Sequence, residues 1–269
     1  MLCGARMAAA ALPLESSFFA ASDGTRLHVL EAGPARAPVI AFVPGWSMPA
    51  EIWRAQLDAL SGRYRVAALD PRGQGHSDIP RDGYTADRRA ADIAEFVARY
   101  PRVVLVGWSL GALESLQYVR SHGEAKLAGL VLVDSSVGEP PAPRSGTFRA
   151  DLKRDRAAAL ERFVRAMFRT PQPEAELAAL VASASRLPLE ASLALLAYPY
   201  PREHWRAAAH AVRVPLLYVV TPQFAEQAGN LQRNRPATGI AVFENAGHAL
   251  FVDEPGRFNA LLADFAARL

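Results

Sequence analysis

Cysteine is nearly absent: the 269-residue chain has one, Cys3. A single thiol excludes an internal disulfide and fits a reducing compartment. Lysine is scarce too, at Lys126 and Lys153 only, so the basic side chains are almost all arginine. The net charge is a modest +3, and no block of five like charges occurs. Nucleic-acid binding wants a basic stripe, and none is present; the arginines read as solvated helix faces. No apolar run reaches the roughly 18 residues that argue for a membrane span. The stretch Ala8-Ala9-Ala10-Ala11-Leu12 is short and weakly apolar, with no charge before Arg6, which argues against a signal peptide. The expectation is a cytoplasmic chain with a ragged first dozen residues, started at Met1 or Met7.

What is present is apolar bulk. Hydrophobic residues make up 51% of the chain, enough at this length for a large core. Residues 16–21 and 26–31 alternate around Asp23-Gly24, a hairpin signal. Strands are read at 39–43, 64–69, 103–106, 127–133, 214–220 and 240–243, and helices at 50–61, 85–99 and from Pro255 onward. Ala86, Ile93, Phe96 and Val97 are the expected core side of the 85–99 helix. Continuous apolar runs such as 103–106 suit central parallel strands. Alternating strand–helix units predict an α/β fold, a mostly parallel central sheet with helices on both faces. From 137 to 212 the pattern changes. Pro140, Pro141 and Pro143 stiffen a linker, then 150–168, 173–185, 189–196 and 201–212 look helical. The expected organisation is a core of 1–136 and 213–269 with a helical insertion at 137–212.

One short segment carries chemistry. Gly107-Trp108-Ser109-Leu110-Gly111 follows the run Val103-Val104-Leu105-Val106 and opens a helical stretch. G-x-S-x-G in that setting places a serine on a sharp strand-to-helix turn, with small residues where bulk would clash. The helix N-terminus behind it favours developing negative charge. A serine hydroxyl needs a base, and histidine has a suitable pKa. Of the six histidines, His248 stands on a loop just past the 240–243 strand, in Asn245-Ala246-Gly247-His248, where it can reach a serine. His28 lies in an early strand, His122 ends a helix, and His204 and His210 sit in an Ala-rich helix.

These segments together resemble an α/β-hydrolase from about Phe18 to Leu269. Phe42-Val43-Pro44-Gly45-Trp46-Ser47 is similar to the loop that supplies an oxyanion-hole amide. Asp70-Pro71-Arg72-Gly73-Gln74-Gly75-His76-Ser77-Asp78 resembles the family's D-x-R-G-x-G-x-S-D loop. Pro44 stands where many members have histidine; the oxyanion contact is a backbone N–H, so this alters loop shape rather than chemistry. The resemblance implies Ser109 as nucleophile, His248 as base, and the N–H groups of Trp46 and Leu110 as oxyanion donors. It also implies that 137–212 is a lid. A second departure concerns the acid. Members often carry an aspartate after the strand that follows the lid, but here Thr221-Pro222-Gln223-Phe224-Ala225-Glu226 follows Val220. Some members carry the acid one strand earlier, which points to Asp134, with Glu226 and Glu244 as fallbacks.

The implied reaction is acyl transfer to water, on a small to medium apolar ester or lactone, with no metal or organic cofactor. Trp108, Phe163, Met167 and Leu196 are the expected substrate-contacting side chains. A perhydrolase or haloperoxidase-like activity, a C–C bond hydrolase, and a ligand-binding protein with weak turnover are the alternatives. A dehalogenase or epoxide hydrolase would want aspartate where Ser109 stands. A small molecule is the only expected partner, to a monomer or homodimer.

Overall fold

The computed structural model describes residues 13–143, 146–197 and 199–269, so Cys3 and Met7 lie outside the described residues. In chain order come β1 (Glu15–Ala20), β2 (Arg26–Ala32), β3 (Val39–Val43), a 3-10 turn at Ala50–Trp53, α1 (Arg54–Leu60) and β4 (Arg65–Asp70). Next are α2 (Ala86–Ala98), β5 (Val103–Trp108), α3 (Leu110–His122) and β6 (Leu127–Val133). Between β6 and the next strand the described residues hold only helices: α4 (Phe148–Arg154), α5 (Arg156–Ala166), α6 (Glu174–Arg186), α7 (Leu189–Leu195) and α8 (Arg202–Ala211). The chain ends with β7 (Leu216–Val220), α9 (Ala225–Asn234), β8 (Gly239–Val242), α10 (Leu250–Asp253) and α11 (Pro255–Ala266).

Strand order in the sheet is β1-β2-β4-β3-β5-β6-β7-β8. β2 pairs antiparallel with β1 and β4, and from β4 to β8 every pairing is parallel. The period of two explains both faces. In β3, Ile40 and Phe42 join one core cluster while Val39, Ala41 and Val43 join the other. The first cluster meets α1 through Leu57 and Leu60 and α11 through Phe258, Leu262 and Phe265. The second meets α2 through Ile93 and Phe96, and α3 through Leu113 and Leu116. Burial on both sides is why these strands are apolar throughout. Each fully buried large side chain is worth about 1.5–3 kcal/mol relative to exposure.

Two expectations need correction. The stretch read as one helix at 150–168 is two, α4 and α5. Asp155, extended at φ −152, caps α5 by accepting from Ala158 N–H; that preference for the N-cap breaks the helix where apolar spacing alone runs on. The arginines are also not all solvated. Arg72 and Arg89 are buried, at 0% and 1% exposure. Arg72 grips Asp92 through Nε and Nη2 at 2.6 and 2.7 Å, and Arg89 reaches Glu114 at 3.0 Å. A planar guanidinium tolerates burial when its donors are matched, and those partners lie 20 and 25 residues away, beyond any local pattern. Thus α2 turns Arg89 and Asp92 inward beside Ile93, Phe96 and Val97, while Ala86 is only partly buried.

Candidate active site

The turn between β5 and α3 holds Ser109 at φ 55 and ψ −120, a left-handed conformation that costs about 1–3 kcal/mol outside glycine. Its N–H donates to Val133 O at 2.9 Å, fastening the turn to β6. The flanking glycines follow from space. A Cβ on Gly107 would stand 2.4 Å from Gly111 O, and one on Gly111 would stand 2.5 Å from Pro44 O.

His248 arrives from the other side. Its Nε2 lies 2.9 Å from Ser109 Oγ, and its Nδ1 lies 2.8 Å from Asp134 Oδ2. An ionised carboxylate only accepts, so Nδ1 carries the proton and Nε2 accepts from the serine hydroxyl. Asp134 directly follows β6 at φ 43 and is 1% exposed. Its other oxygen, Oδ1, accepts from Thr221 N–H at 2.7 Å and Thr221 Oγ1–H at 2.8 Å. Thr221 directly follows β7, so that strand end serves the acid by donating hydrogen bonds.

The histidine loop is tied down three times. Trp108 Nε1–H donates to His248 O at 2.9 Å. Gly247 N–H donates to Asp253 Oδ2 at 2.7 Å, and the same carboxylate accepts from Arg169 and Thr170 N–H, each at 2.9 Å. Ala249 N–H donates to Met167 O at 2.9 Å. The 167–170 segment after α5 is therefore clasped to the loop that carries His248.

The loop after β3 closes the front. Gly45 lies so near Ser109 that an added Cβ would stand 3.1 Å from the serine Cβ. Among the described residues, neither Trp46 N–H nor Leu110 N–H donates to a backbone acceptor. The Trp46 indole points away into the helical insertion: Nε1–H donates to Ser192 O at 3.0 Å, and the ring meets Phe148 and Phe163 edge-on at 5.2 and 5.3 Å. Phe163 is half-buried; Leu196 is 9% exposed and Met167 only 1%. Trp108, also 1% exposed, packs beneath His248 with ring centroids 5.1 Å apart. Met167 and Trp108 thus support the loop rather than offering surface. Glu226 and Glu244 do not meet the imidazole Nδ1, which Asp134 occupies. Thr221, Asp253 and the buried Gln74, Arg89 and Glu114 escape a sequence reading. Gln74 lies within the D-x-R-G-x-G-x-S-D segment, and Thr221 opens the stretch that follows β7.

A second Ser-His-Asp chain exists at the antiparallel edge. Ser16 Oγ lies 2.7 Å from His28 Nε2, and His28 Nδ1 lies 2.7 Å from Asp70 Oδ2. Ser16 sits in a regular strand opposite Leu30, with no turn or helix N-terminus behind it. Asp70 also accepts from Ala50 and His76 N–H. This chain locks β1, β2 and β4 to two loops.

Among the described residues no group of His, Cys, Asp and Glu has metal-binding geometry, and no single helix is long and apolar enough to cross a membrane. The pimeloyl-[acyl-carrier protein] methyl ester esterase of Aeromonas hydrophila is 27% identical over 86% of this chain and 96% of its own. A non-heme haloperoxidase of Rhodococcus erythropolis is 40% identical, over 43% of each chain. The solved esterase of Exiguobacterium antarcticum superposes with a TM-score of 0.84 at 24% identity, covering 94% of this chain and 100% of that one. The model of the alpha/beta hydrolase family matches residues 40–261. Because that match runs from β3 into α11, across both the serine turn and the histidine loop, the chain belongs to the alpha/beta hydrolase family.

Proposed function

We propose that the chain is a serine hydrolase that cleaves small to medium apolar carboxylic esters or lactones through an acyl-enzyme. Ser109 Oγ attacks the carbonyl carbon while His248 Nε2 takes its proton. The Trp46 and Leu110 N–H groups hold the oxyanion, aided by the positive end of α3. The carbonyl re-forms, the C–O bond to the alcohol breaks, and the alcohol leaves with the proton from His248. Water then attacks the acyl-enzyme and His248 again takes the proton; the bond from the acyl carbon to Ser109 Oγ breaks, His248 returns the proton to Oγ, and the acid departs. Asp134 keeps the imidazole in the required tautomer and stabilises its charged form.

The observation that carries this reading is the unbroken chain Ser109 Oγ–His248 Nε2 and Nδ1–Asp134 Oδ2, at 2.9 and 2.8 Å, set on a strained strand–helix turn. The insertion 137–212 acts as a cap over the serine, and Phe163, packed on Trp46, and Leu196 contact the apolar part of the substrate. Trp108 and Met167 act behind them. The test is a series of p-nitrophenyl esters of rising acyl length, run on wild type, Ser109→Ala, His248→Ala and the double variant. Each single change should lower kcat by on the order of 10³-fold or more, and the double change should cost little extra. Wild-type turnover in Ser109→Ala contradicts the reading.

The haloperoxidase relative favours a second reading on the same site. Hydrogen peroxide in place of water attacks the acyl-enzyme, releasing a peracid and restoring Ser109. Peracid formation dependent on Ser109 distinguishes it.

A further inference from the structure

We infer that Gln74, clamped by Arg89 and Glu114, is a positioning residue that aims the Trp46 N–H of the oxyanion hole. The inference rests on the serine-hydrolase reading above and concerns a residue that touches no reacting atom.

The carbonyl of Gly45 and the N–H of Trp46 belong to the same planar group, and in a trans peptide they point in opposite directions. Whatever holds that carbonyl therefore sets where the N–H points. Gln74, 1% exposed, does so: its Nε2–H donates to Gly45 O at 3.0 Å and to Met48 O at 2.8 Å. Met48 N–H also donates to Gly45 O, at 3.3 Å. Donation to the carbonyl polarises the amide and strengthens its N–H as a donor, as along any hydrogen-bonded chain.

The amide of Gln74 can face only one way. Its Oε1 accepts from Arg89 Nη1 and Nη2, each at 3.1 Å. A guanidinium offers donors alone, so the amide oxygen must face it and the NH₂ must face the two carbonyls. Arg89 is held in turn by Glu114 Oε2 at 3.0 Å. Glu114 lies on α3 one turn beyond Leu110, the other oxyanion donor. The series Glu114–Arg89–Gln74–Gly45 thus fixes the two donors relative to each other through buried polar groups. Burial pushes the Glu114 carboxyl up to about 7, against the pull of the Arg89 charge. Glu114 and Arg89 are 1% exposed, so water does not loosen the clamp. The packing of Gly45 on Ser109 converts a small rotation of this peptide into a misplaced donor.

The test uses the full chain with p-nitrophenyl acetate as substrate and phenylboronic acid as a tetrahedral mimic on Ser109. Gln74→Glu keeps the shape and the Arg89 bonds but loses both donors; Gln74→Met loses both sets. Removing an oxyanion donor outright costs about 10²–10³ in kcat, so misaiming one should cost ~10–100-fold. The loss should fall on kcat with KM nearly unchanged, and boronic acid affinity should fall in parallel. Wild-type kcat in either folded variant, or a loss confined to KM, overturns the inference. If both variants fail to fold, a structure of the wild-type boronate decides. A boronate oxygen should lie within about 3.1 Å of Trp46 N with the Gln74–Gly45 bond intact, and a flipped Gly45–Trp46 peptide overturns the inference. Ser109→Ala is assayed alongside. If it turns over normally, the serine reading itself fails; if it is inactive while the Gln74 variants behave as wild type, only the present inference fails.

Discussion

Asp134 Oδ2 accepts a hydrogen bond from His248 Nδ1 at 2.8 Å across 114 residues of sequence. With Thr221 filling the other carboxylate oxygen, Asp134 can serve one imidazole and nothing else. Asp134→Asn should leave the fold intact but present an NH₂ to Nδ1, selecting the wrong tautomer. The expected cost is on the order of 10⁴-fold in kcat, as in other triads. Glu226→Gln and Glu244→Gln should be near neutral. Steady-state kinetics on the three variants check this, and a large loss in either glutamate variant contradicts it.

The aromatic group of Trp46, Phe148 and Phe163 joins the loop after β3 to α4 and α5. Phe163→Ala should shift acyl-chain preference toward longer p-nitrophenyl esters while kcat on the best substrate stays within a few-fold. If it lowers only thermal stability and leaves the preference unchanged, the insertion is packing and carries no substrate selectivity.

Asp92 receives Arg72 through two bonds and Arg88 through two more, while being 1% exposed. Asp92→Ala strands the buried Arg72 charge, with Asp23 as its remaining partner. Breaking a buried pair on one side costs about 3–5 kcal/mol. Urea denaturation of the variant should show a loss of that size, and a loss under ~1 kcal/mol, typical of surface pairs, contradicts it.

Glu31 makes stability depend on pH. Burial works to raise its pKa. The Tyr100 hydroxyl bond, the Arg99 charge and the bonds from Ser17 and Arg65 outweigh burial and hold it below the usual 4.5. A carboxylate depressed in the folded state stabilises above its unfolded pKa, and that stabilisation disappears as pH falls through the folded value. Glu31→Gln should therefore be destabilised at about pH 7, and the deficit should shrink below about pH 4. An equal deficit at both pH values contradicts this assignment.

How far these features were legible follows from their range. Strand-to-helix alternation and the Gly107–Gly111 spacing are local, so the fold and the place of Ser109 on the strand-to-helix turn are legible directly. Asp134 could be reached only because the usual position after β7 holds Thr221; that Thr221 donates to the acid depends on β6 and β7 being neighbours. Trp108 looks like a substrate-contacting side chain because a sequence does not say which way an indole points. The strand sends it under His248, where its N–H finds the His248 carbonyl. Arg72 and Arg89 look like surface arginines in one dimension, since their carboxylate partners, Asp23, Asp92 and Glu114, are brought in from distant parts of the sequence. The break at Asp155 comes from its side chain capping α5, which apolar spacing alone does not register.

The most direct test of the central claim is mass spectrometry of the covalent adduct formed with a fluorophosphonate, on wild type, Ser109→Ala and His248→Ala. Among the described residues, two serines, Ser109 and Ser16, are hydrogen-bonded to a histidine–aspartate pair, so the site of labelling discriminates. The account predicts one adduct per wild-type chain, on Ser109, with no adduct in Ser109→Ala and strongly slowed labelling in His248→Ala. Stoichiometric labelling of Ser16 or another residue, or undiminished labelling of Ser109→Ala, would contradict it.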